Sequence, residues 1–265
     1  MDLDLAQRLE RTEGMVCSSF IEPHNRVANV GAAWKDFAGT IAIFDGVGSP
    51  LTQTFCLGTV APVGEAELAP IEAWFAERGA DTSHEVSPFA AVEMLQVMVA
   101  RGYKPIEQSS VLVQPIGEPA APSALRVRVV DPDVEGTRWA DTAFAGWSED
   151  PTYAPFMRAM VDVSIANRSM GHYLVERDGE PIATGSLGIH GDVALLAGAS
   201  TIPSARGQGA QAALLAKRLV DARARGCTVA MMVANVGSTS QRNAERNGFR
   251  VAYTRTKWQR ARPVT

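Results

Sequence analysis

Residues 201–211, with the sequence TIPSARGQGAQ, limit the possible fold more narrowly than any other segment. They follow a run of strand-forming residues and precede an apolar-periodic stretch over residues 212–225 that is typical of a helix. Gly207 and Gly209 let the loop backbone approach an anion closely, and a helix N-terminus offers unpaired N–H groups to a phosphate. The segment predicts either a diphosphate-binding loop or a tight strand-to-helix turn that merely needs glycine.

The elements around this loop follow a definite order. Residues 125–130 alternate as a strand does, and the sequence Asp131-Pro132-Asp133 opens a helix that extends to residue 147. A second helix is expected over residues 153–165. From residue 173 the pattern predicts three strands joined by tight turns, which is an antiparallel meander. After the loop and its helix come a buried-type strand over residues 227–235, a short helix and the pair Gly248-Phe249.

This series resembles the GNAT (N-acetyltransferase) superfamily over about residues 125–260. The resemblance implies that acetyl-CoA is the acyl-donor substrate and that the loop backbone holds the CoA diphosphate. It also implies that the preceding strand holds the pantetheine arm. The residues that it places at the cofactor are Ala199, Ser200, Thr201, Arg206, Gly207, Gln208, Gly209, Ala210, Gln211, Ser240 and Asn243.

Two positions depart from the family pattern. Gln211 stands where Gly or Ala is common, and Ala244 stands where many members carry a tyrosine that protonates the leaving thiolate. Residues 193–201 also contain no carboxylate that could act as the general base. His190 and Tyr253 are weak candidates for catalysis, and the favoured interpretations are a solvated turn residue for His190 and a packed strand aromatic for Tyr253.

The family's acceptor site is walled in part by the two helices that precede the meander. Trp147 and Tyr153 are therefore candidates for that wall, and they are equally plausible as core aromatics.

The N-terminal half repeats the order of elements. Strands are expected over residues 51–59 and 82–87, and helices over residues 65–78 and 90–101. The connection between the first strand and helix has one glycine and no arginine, while Glu65 and Glu67 would repel a diphosphate. We expect a degenerate GNAT-like domain that does not bind CoA, with an unrelated α+β domain as the alternative. The glycines of residues 46–50 predict a turn.

Residues 117–124, GEPAAPSA, mark a break in composition, because two prolines and several small residues oppose regular structure. They predict a linker between a domain at residues 1–116 and an acetyltransferase domain at residues 125–265. The fold class expected is α+β, with tandem GNAT-like domains, each a mixed, mostly antiparallel sheet flanked by helices.

Composition narrows the possible partners. The formal net charge of -4 argues against a nucleic-acid surface, and no apolar run is long enough to span a membrane. The acidic start is unlike a secretory signal, and three scattered cysteines indicate buried thiols and neither a disulfide framework nor a metal site. A cytoplasmic location is expected.

The function predicted from these observations is N-acetylation of an amine on a small molecule or peptide, by direct transfer from acetyl-CoA in a ternary complex. A non-catalytic protein that senses CoA and regulates another process is the alternative. A longer acyl-CoA as donor is a third possibility that the sequence leaves open.

Overall fold

The computed structural model describes residues 2–118, 124–147 and 154–262, and these form two compact units. The first unit contains the described residues up to Leu112, together with Val233–Arg242 and the described residues from Arg250 onward. The second contains the described residues from Val113 to Met232 and Asn243–Phe249.

The first unit begins with two helices, and the rest of its elements alternate between short strands and helices. Its elements are α1 (Leu3–Ser18), α2 (Ile21–Ala28), β1 (Ala33–Phe37), β2 (Thr40–Phe44), β3 (Gln53–Phe55), α3 (Glu65–Ala76), β4 (Thr82–Val86), α4 (Val92–Ala100) and most of β5 (Lys104–Pro115). Asp2 caps α1, since its carboxylate accepts a hydrogen bond from the Leu5 N–H at 2.9 Å.

The second unit has the order of elements that the sequence predicted. Its elements are β6 (Arg126–Val129), α5 (Pro132–Trp147), α6 (Ala154–Ala166), β7 (Gly171–Arg177), β8 (Glu180–His190), β9 (Val193–Thr201), α7 (Ala210–Ala224) and the start of β10 (Val229–Asn235). A short helix, α8 (Thr239–Arg246), and a last strand, β11 (Arg250–Arg260), follow β10.

Each unit contains a mixed sheet in which antiparallel pairs predominate. The strand order is β1-β2-β3-β4-β11-β5 in the first unit and β10-β9-β8-β7-β6 in the second. Parallel pairing joins β3 to β4 and β9 to β10, while the other registers are antiparallel. The predicted α+β class, with mixed and mostly antiparallel strand pairing, is confirmed.

Two details differ from the sequence prediction. The strand expected over residues 51–59 is only Gln53–Phe55, because Cys56 has a left-handed φ of 65° that ends it. The chain also divides at other residues than the linker suggested, since β11 pairs with β4 from Thr256↔Val86 to Arg260↔Thr82 and so belongs to the first unit. Most of the predicted linker, residues 119–123, lies outside the described residues.

In the first unit a buried arginine forms ion pairs with three carboxylates. The Arg255 guanidinium is 2% exposed and lies 2.7 Å from Glu13, 3.0 Å from Glu85 and 3.4 Å from Glu10. The Tyr253 hydroxyl donates to Glu10 at 2.7 Å. Burial raises the pKa of the Glu10 carboxyl despite the nearby arginine. This cluster ties α1 to β4 and β11.

A second buried network in the first unit runs through a histidine. The Thr54 hydroxyl is 2.7 Å from His84 Nδ1, and His84 Nε2 is 3.0 Å from the Tyr103 oxygen. The Tyr103 hydroxyl donates to Glu72, so the imidazole is neutral with its hydrogen on Nε2. Burial lowers the pKa of His84 to about 3.

The core of the second unit lies between its sheet and α5. Trp139 is 1% exposed, and its indole N–H donates to the Tyr173 carbonyl at 2.9 Å. Cys17, Cys56 and Cys227 are buried free thiols, as predicted. None of the helices within the described residues has the length and apolar character needed to cross a membrane.

We predict that Arg255→Met lowers the free energy of unfolding by about 3–5 kcal/mol, because it leaves buried carboxylates without their cation. Urea-induced unfolding measures the change. Arg250→Met, at the exposed start of the same strand, is the matched control and should change stability by less than about 0.5 kcal/mol. Equal effects of the two substitutions would contradict the role given to Arg255.

We predict a pH dependence of stability that His84 causes. Its pKa is about 3 in the folded chain and near 6.5 in the unfolded chain, so the unfolded chain takes up the proton first. Stability from this group is complete above pH 6.5 and falls by roughly 2–3 kcal/mol by about pH 4.5. His84→Gln should remove that part of the slope in urea titrations across this range. An unchanged slope would refute the assignment.

Candidate functional site

The loop between β9 and α7 has the conformation that its glycines make possible. A single 3-10 turn, Pro203–Ala205, leaves β9, and Gly207 and Gly209 follow with left-handed φ angles of 73° and 83°. A Cβ atom added at either glycine would meet no atom within 4 Å. The outer side of the loop is therefore open to a ligand.

The first turn of α7 has no side chain that would compete with an anion for its backbone N–H groups. No side chain caps the helix, whose N-cap is Gly209, and its first turn contains no acidic residue. The first N–H groups of a helix have no partner inside the helix, and the helix dipole adds partial positive charge there. This end of α7 has the chemistry of an anion site.

Three side chains hold the loop in place, and two of them do so through hydrogen bonds to Thr201 at the end of β9. Arg206 donates to the carbonyls of Thr201 at 3.3 Å and Gly146 at 3.2 Å. Gln208 donates to the Ser204 carbonyl at 3.0 Å. The Gln211 amide donates to the Thr201 hydroxyl at 2.8 Å, so this departure from the family pattern fixes the loop to the strand.

Strand β9 separates from β10 partway along its length. The two strands pair from Val193↔Val229 to Leu195↔Met231, and no register pair among the described residues joins them further on. β9 itself continues to Thr201. Its backbone from residue 196 onward therefore has an edge that β10 does not cover, and this edge leads to the loop.

A β-bulge lies in the separated part of β9. The register with β8 passes from Thr184↔Ser200 to Ser186↔Ala197, which leaves an extra residue in β9. Gly198, within this bulge, is exposed and has a left-handed φ of 58°. The bulge turns part of the β9 backbone out of the regular ladder.

Strand β9 packs tightly on α5 just before the loop. The Ser200 hydroxyl donates to the Ala143 carbonyl at 3.1 Å, and a Cβ at Gly146 would lie 2.6 Å from the Ser200 oxygen. The side chain of Ser200 is thus buried against α5, while Ala199 and Thr201 beside it are half-buried.

An elongated cavity of about 430 Å³ extends along α7 from Gly209. Ala212, Ala216, Leu219 and Val220 form its helical wall, and residues 114–118 form the opposite one. Gln114 contributes a buried Oε1 that has no hydrogen-bond partner in the described part of the chain. Arg223 and Glu118 pair at 2.7 Å, and both residues line the cavity. The cavity is apolar with a few polar groups, as ligand pockets commonly are.

Four further candidates from the sequence are Ser240, Asn243, His190 and Tyr253. Ser240 is exposed on α8 and belongs to the first unit, while Asn243 accepts from Arg246 at 3.4 Å. His190 is at the opposite end of β9 from Thr201, about 26 Å along the strand. Tyr253 belongs to the first unit and is 7% exposed.

For the proposed acceptor wall, the structure describes one of the two aromatic residues. Trp147 is 47% exposed at the end of α5, and Tyr153 lies outside the described residues.

The corresponding helix of the first unit has a different N-terminus. The Glu67 carboxylate accepts from the Gly64 N–H at 2.8 Å, and Glu65 adds a second negative charge in the first turn of α3. The helix thus supplies its own anion, and this end of α3 repels a second one.

The sequence analysis missed a buried polar pair in the second unit. His172 of β7 and Ser186 of β8 are directly opposite each other, with His172 Nδ1 3.2 Å from the Ser186 hydroxyl. The only sequence signal for this pair is the strand register, which requires knowing where β8 bulges.

Comparison with known proteins agrees with the geometry. The sequence profile of the Acetyltransferase (GNAT) family matches residues 139–249. Among curated proteins, none is significantly similar in sequence.

Solved structures resemble the whole chain. A GCN5-related N-acetyltransferase from Kribbella flavida is 22% identical with a TM-score of 0.64, and the match covers 95% of this chain and 96% of that one. A tandem GNAT protein from the clavulanic acid biosynthesis pathway is 11% identical with a TM-score of 0.60, over 99% and 95%. A GCN5-related N-acetyltransferase from Sphaerobacter thermophilus is 16% identical with a TM-score of 0.56, over 80% and 73%.

These likenesses, all under 25% identical, show the fold of the chain, and the family profile matches residues 139–249. The chain has a tandem GNAT fold, and its residues 139–249 match the GNAT acetyltransferase family.

Proposed function

We propose that this protein is an N-acetyltransferase that transfers the acetyl group of acetyl-CoA to an amine of a small molecule or peptide. The observation that carries the proposal is the uncapped N-terminus of α7, next to the uncovered edge of β9. A diphosphate and an extended arm are the two parts of CoA that such a pair of features suits.

In this proposal the backbone N–H groups of Gly207, Gln208, Gly209, Ala210 and Gln211 bind the diphosphate. The backbone of Ala199, Ser200 and Thr201 binds the pantetheine arm along the free edge of β9. Arg206 adds positive charge beside the diphosphate while its bonds to Thr201 and Gly146 hold the loop in place.

The adenosine end of CoA occupies the cavity along α7, which begins at Gly209 and has a volume of about 430 Å³. Gln114 Oε1, a buried acceptor with no partner among the described residues, supplies a position for a base amino group. Asn243 stays in the proposal as a weaker contact from α8, and Ser240 stays a prediction from the sequence.

Transfer proceeds by direct attack of the amine on the thioester in a ternary complex. The bulge at Gly198 interrupts the regular β8–β9 ladder beside the uncovered edge, where a backbone N–H can polarise the thioester carbonyl. Binding both substrates in one site provides the orientation that a bimolecular reaction lacks in water.

The first unit does not bind CoA in this proposal. Glu67 occupies the N-terminus of α3, and Glu65 adds negative charge where the diphosphate would lie. The unit is the degenerate half of the tandem.

A CoA-sensing protein without catalysis is the second candidate. The observation in its favour is Ala244, which is 1% exposed and replaces the tyrosine that protonates the thiolate in many family members. Binding of acetyl-CoA without turnover of any amine would favour this candidate.

We predict that Gly209→Glu abolishes micromolar binding of acetyl-CoA, measured by calorimetric titration, because a carboxylate would occupy the diphosphate position. Gly226→Glu is a closely matched control. Gly226 has the same φ of 83°, has equally open surroundings and follows the other end of the same helix. Backbone strain and added charge are therefore alike in the two variants.

Loss of binding in Gly209→Glu alone would support the cofactor site, and a screen of amines for CoA release then separates the enzyme from the sensor. Equal binding by both variants, or no binding by the wild-type protein, would overturn the proposal.

A further inference from the structure

His172 and Ser186 form a buried hydrogen-bonded pair in the middle of the second unit. Each is 1% exposed, and the two residues are cross-strand partners in the β7–β8 ladder. His172 Nε2 lies 3.1 Å from the Asn167 carbonyl oxygen, and Nδ1 lies 3.2 Å from the Ser186 hydroxyl. A hydroxyl, an imidazole and an orienting acceptor are thus arranged in series.

These contacts set the protonation state of the histidine. A carbonyl oxygen only accepts, so Nε2 carries the hydrogen, and Nδ1 has the free lone pair that accepts from Ser186. Burial is the main cause that lowers the pKa of His172, and the charge of Arg168 lowers it further, while the bond to Asn167 raises it. From α5 the edge of the Trp139 ring packs on the imidazole. His172 is therefore neutral at neutral pH and able to take a proton.

The Ser186 hydroxyl lies just inside the bulge of β9. A Cβ added at Gly198 would be 3.7 Å from the Ser186 oxygen and within 4 Å of no other atom beyond its chain neighbours. Gly198 is itself exposed. The absence of a side chain on this glycine leaves the hydroxyl as the polar group nearest to the open bulge.

A buried arginine holds the backbone at this position from α7. Arg218 Nη1 donates to the Ser186 carbonyl at 3.0 Å and to the Ala197 carbonyl at 3.4 Å, and Nε donates to Leu214. A Cβ at Gly185 would lie 3.1 Å from the same Nη1. The guanidinium thus fixes both strands of the bulge, and with them the position of Ser186.

The proposed reaction needs a group that accepts a proton. Alkyl ammonium groups such as that of lysine have a pKa near 10.4, so the acceptor must lose a proton before it attacks. Residues 193–201 provide no carboxylate for this step.

We propose that Ser186 accepts the proton of the incoming ammonium while passing its own hydroxyl proton to His172. This inference rests on the proposed acetyltransferase function and names the missing base. Ser186 is the catalytic residue, and His172 acts through it.

Each proton that leaves the amine nitrogen has a defined acceptor. The first ammonium proton moves to Ser186, the serine proton moves to His172 Nδ1, and the imidazolium later releases a proton to water. The amine nitrogen then forms a bond to the acetyl carbon as the C–S bond breaks. The second nitrogen proton goes to the departing CoA thiolate. The products are the amide and CoA.

Two nucleophiles test this relay by CoA release from acetyl-CoA. Ethylamine is protonated at neutral pH and needs the base, whereas hydroxylamine is already a free amine and does not. We expect His172→Gln and Ser186→Ala each to slow turnover of ethylamine by about 100-fold and that of hydroxylamine by less than about threefold. In His172→Gln the ethylamine rate should follow the free-amine fraction and keep rising with pH toward the amine pKa of about 10.4, whereas the wild-type rate should level off once His172 is neutral.

Thr142→Val is the control, because it removes another buried hydroxyl from the second unit, one that donates to the Arg138 carbonyl. It should leave both rates unchanged. Ser186→Ala removes a single oxygen and keeps the test available if His172→Gln does not fold.

Equal losses with the two nucleophiles, or losses no larger than those of the control, would overturn the relay. So would a wild-type protein that binds acetyl-CoA in calorimetry and releases CoA with neither nucleophile. Absence of acetyl-CoA binding would instead refute the proposed function itself, so the two failures are distinguishable.

Discussion

The separation of β9 from β10 after Leu195 is the constraint on which the rest of the second unit depends. A strand that loses its partner leaves backbone groups without hydrogen bonds, which is costly unless other groups hold the strand in place. Here α5 holds β9 through Ser200 and the close contact at Gly146, and Arg218 holds the bulge from α7. The free edge is thus held open by packing from both faces of the sheet.

The same packing positions the loop. Because β9 is fixed up to Thr201, the bonds from Arg206 and Gln211 to that residue locate the N-terminus of α7 relative to the strand edge. An anion site and an extended groove in fixed register suit a ligand that has a diphosphate and a long arm. Gly207 and Gly209 supply the turn between them without occupying the space outside it.

The sequence predicted local features well and distant ones less well. The loop, α5 and the meander follow from periodicity and turn residues that lie close together in the chain. The pairing of β11 with β4 joins residues far apart in sequence, so no local pattern marks it. The His172–Ser186 pair was missed because β8 has a bulge at Ile182, where the register passes from Val175↔Ala183 to Glu176↔Pro181. Counting back from Arg177↔Glu180 without this bulge places His172 opposite Gly185.

Helices α3 and α7 differ in the side chains at their N-termini, and in the proposed function this difference decides which helix binds an anion. Both begin after a glycine, Gly64 or Gly209, and both have unpaired N–H groups in the first turn. In α3 the Glu67 carboxylate accepts a hydrogen bond from the Gly64 N–H and neutralises the partial positive charge at the helix N-terminus. This contact stabilises α3 without a ligand. In α7 no side chain caps the helix, so its first N–H groups lack the hydrogen bonds that a cap would supply. In the proposed function, a bound anion supplies those hydrogen bonds. In the proposed function, the difference between the half that binds CoA and the half that does not therefore lies in a few side chains at one helix terminus.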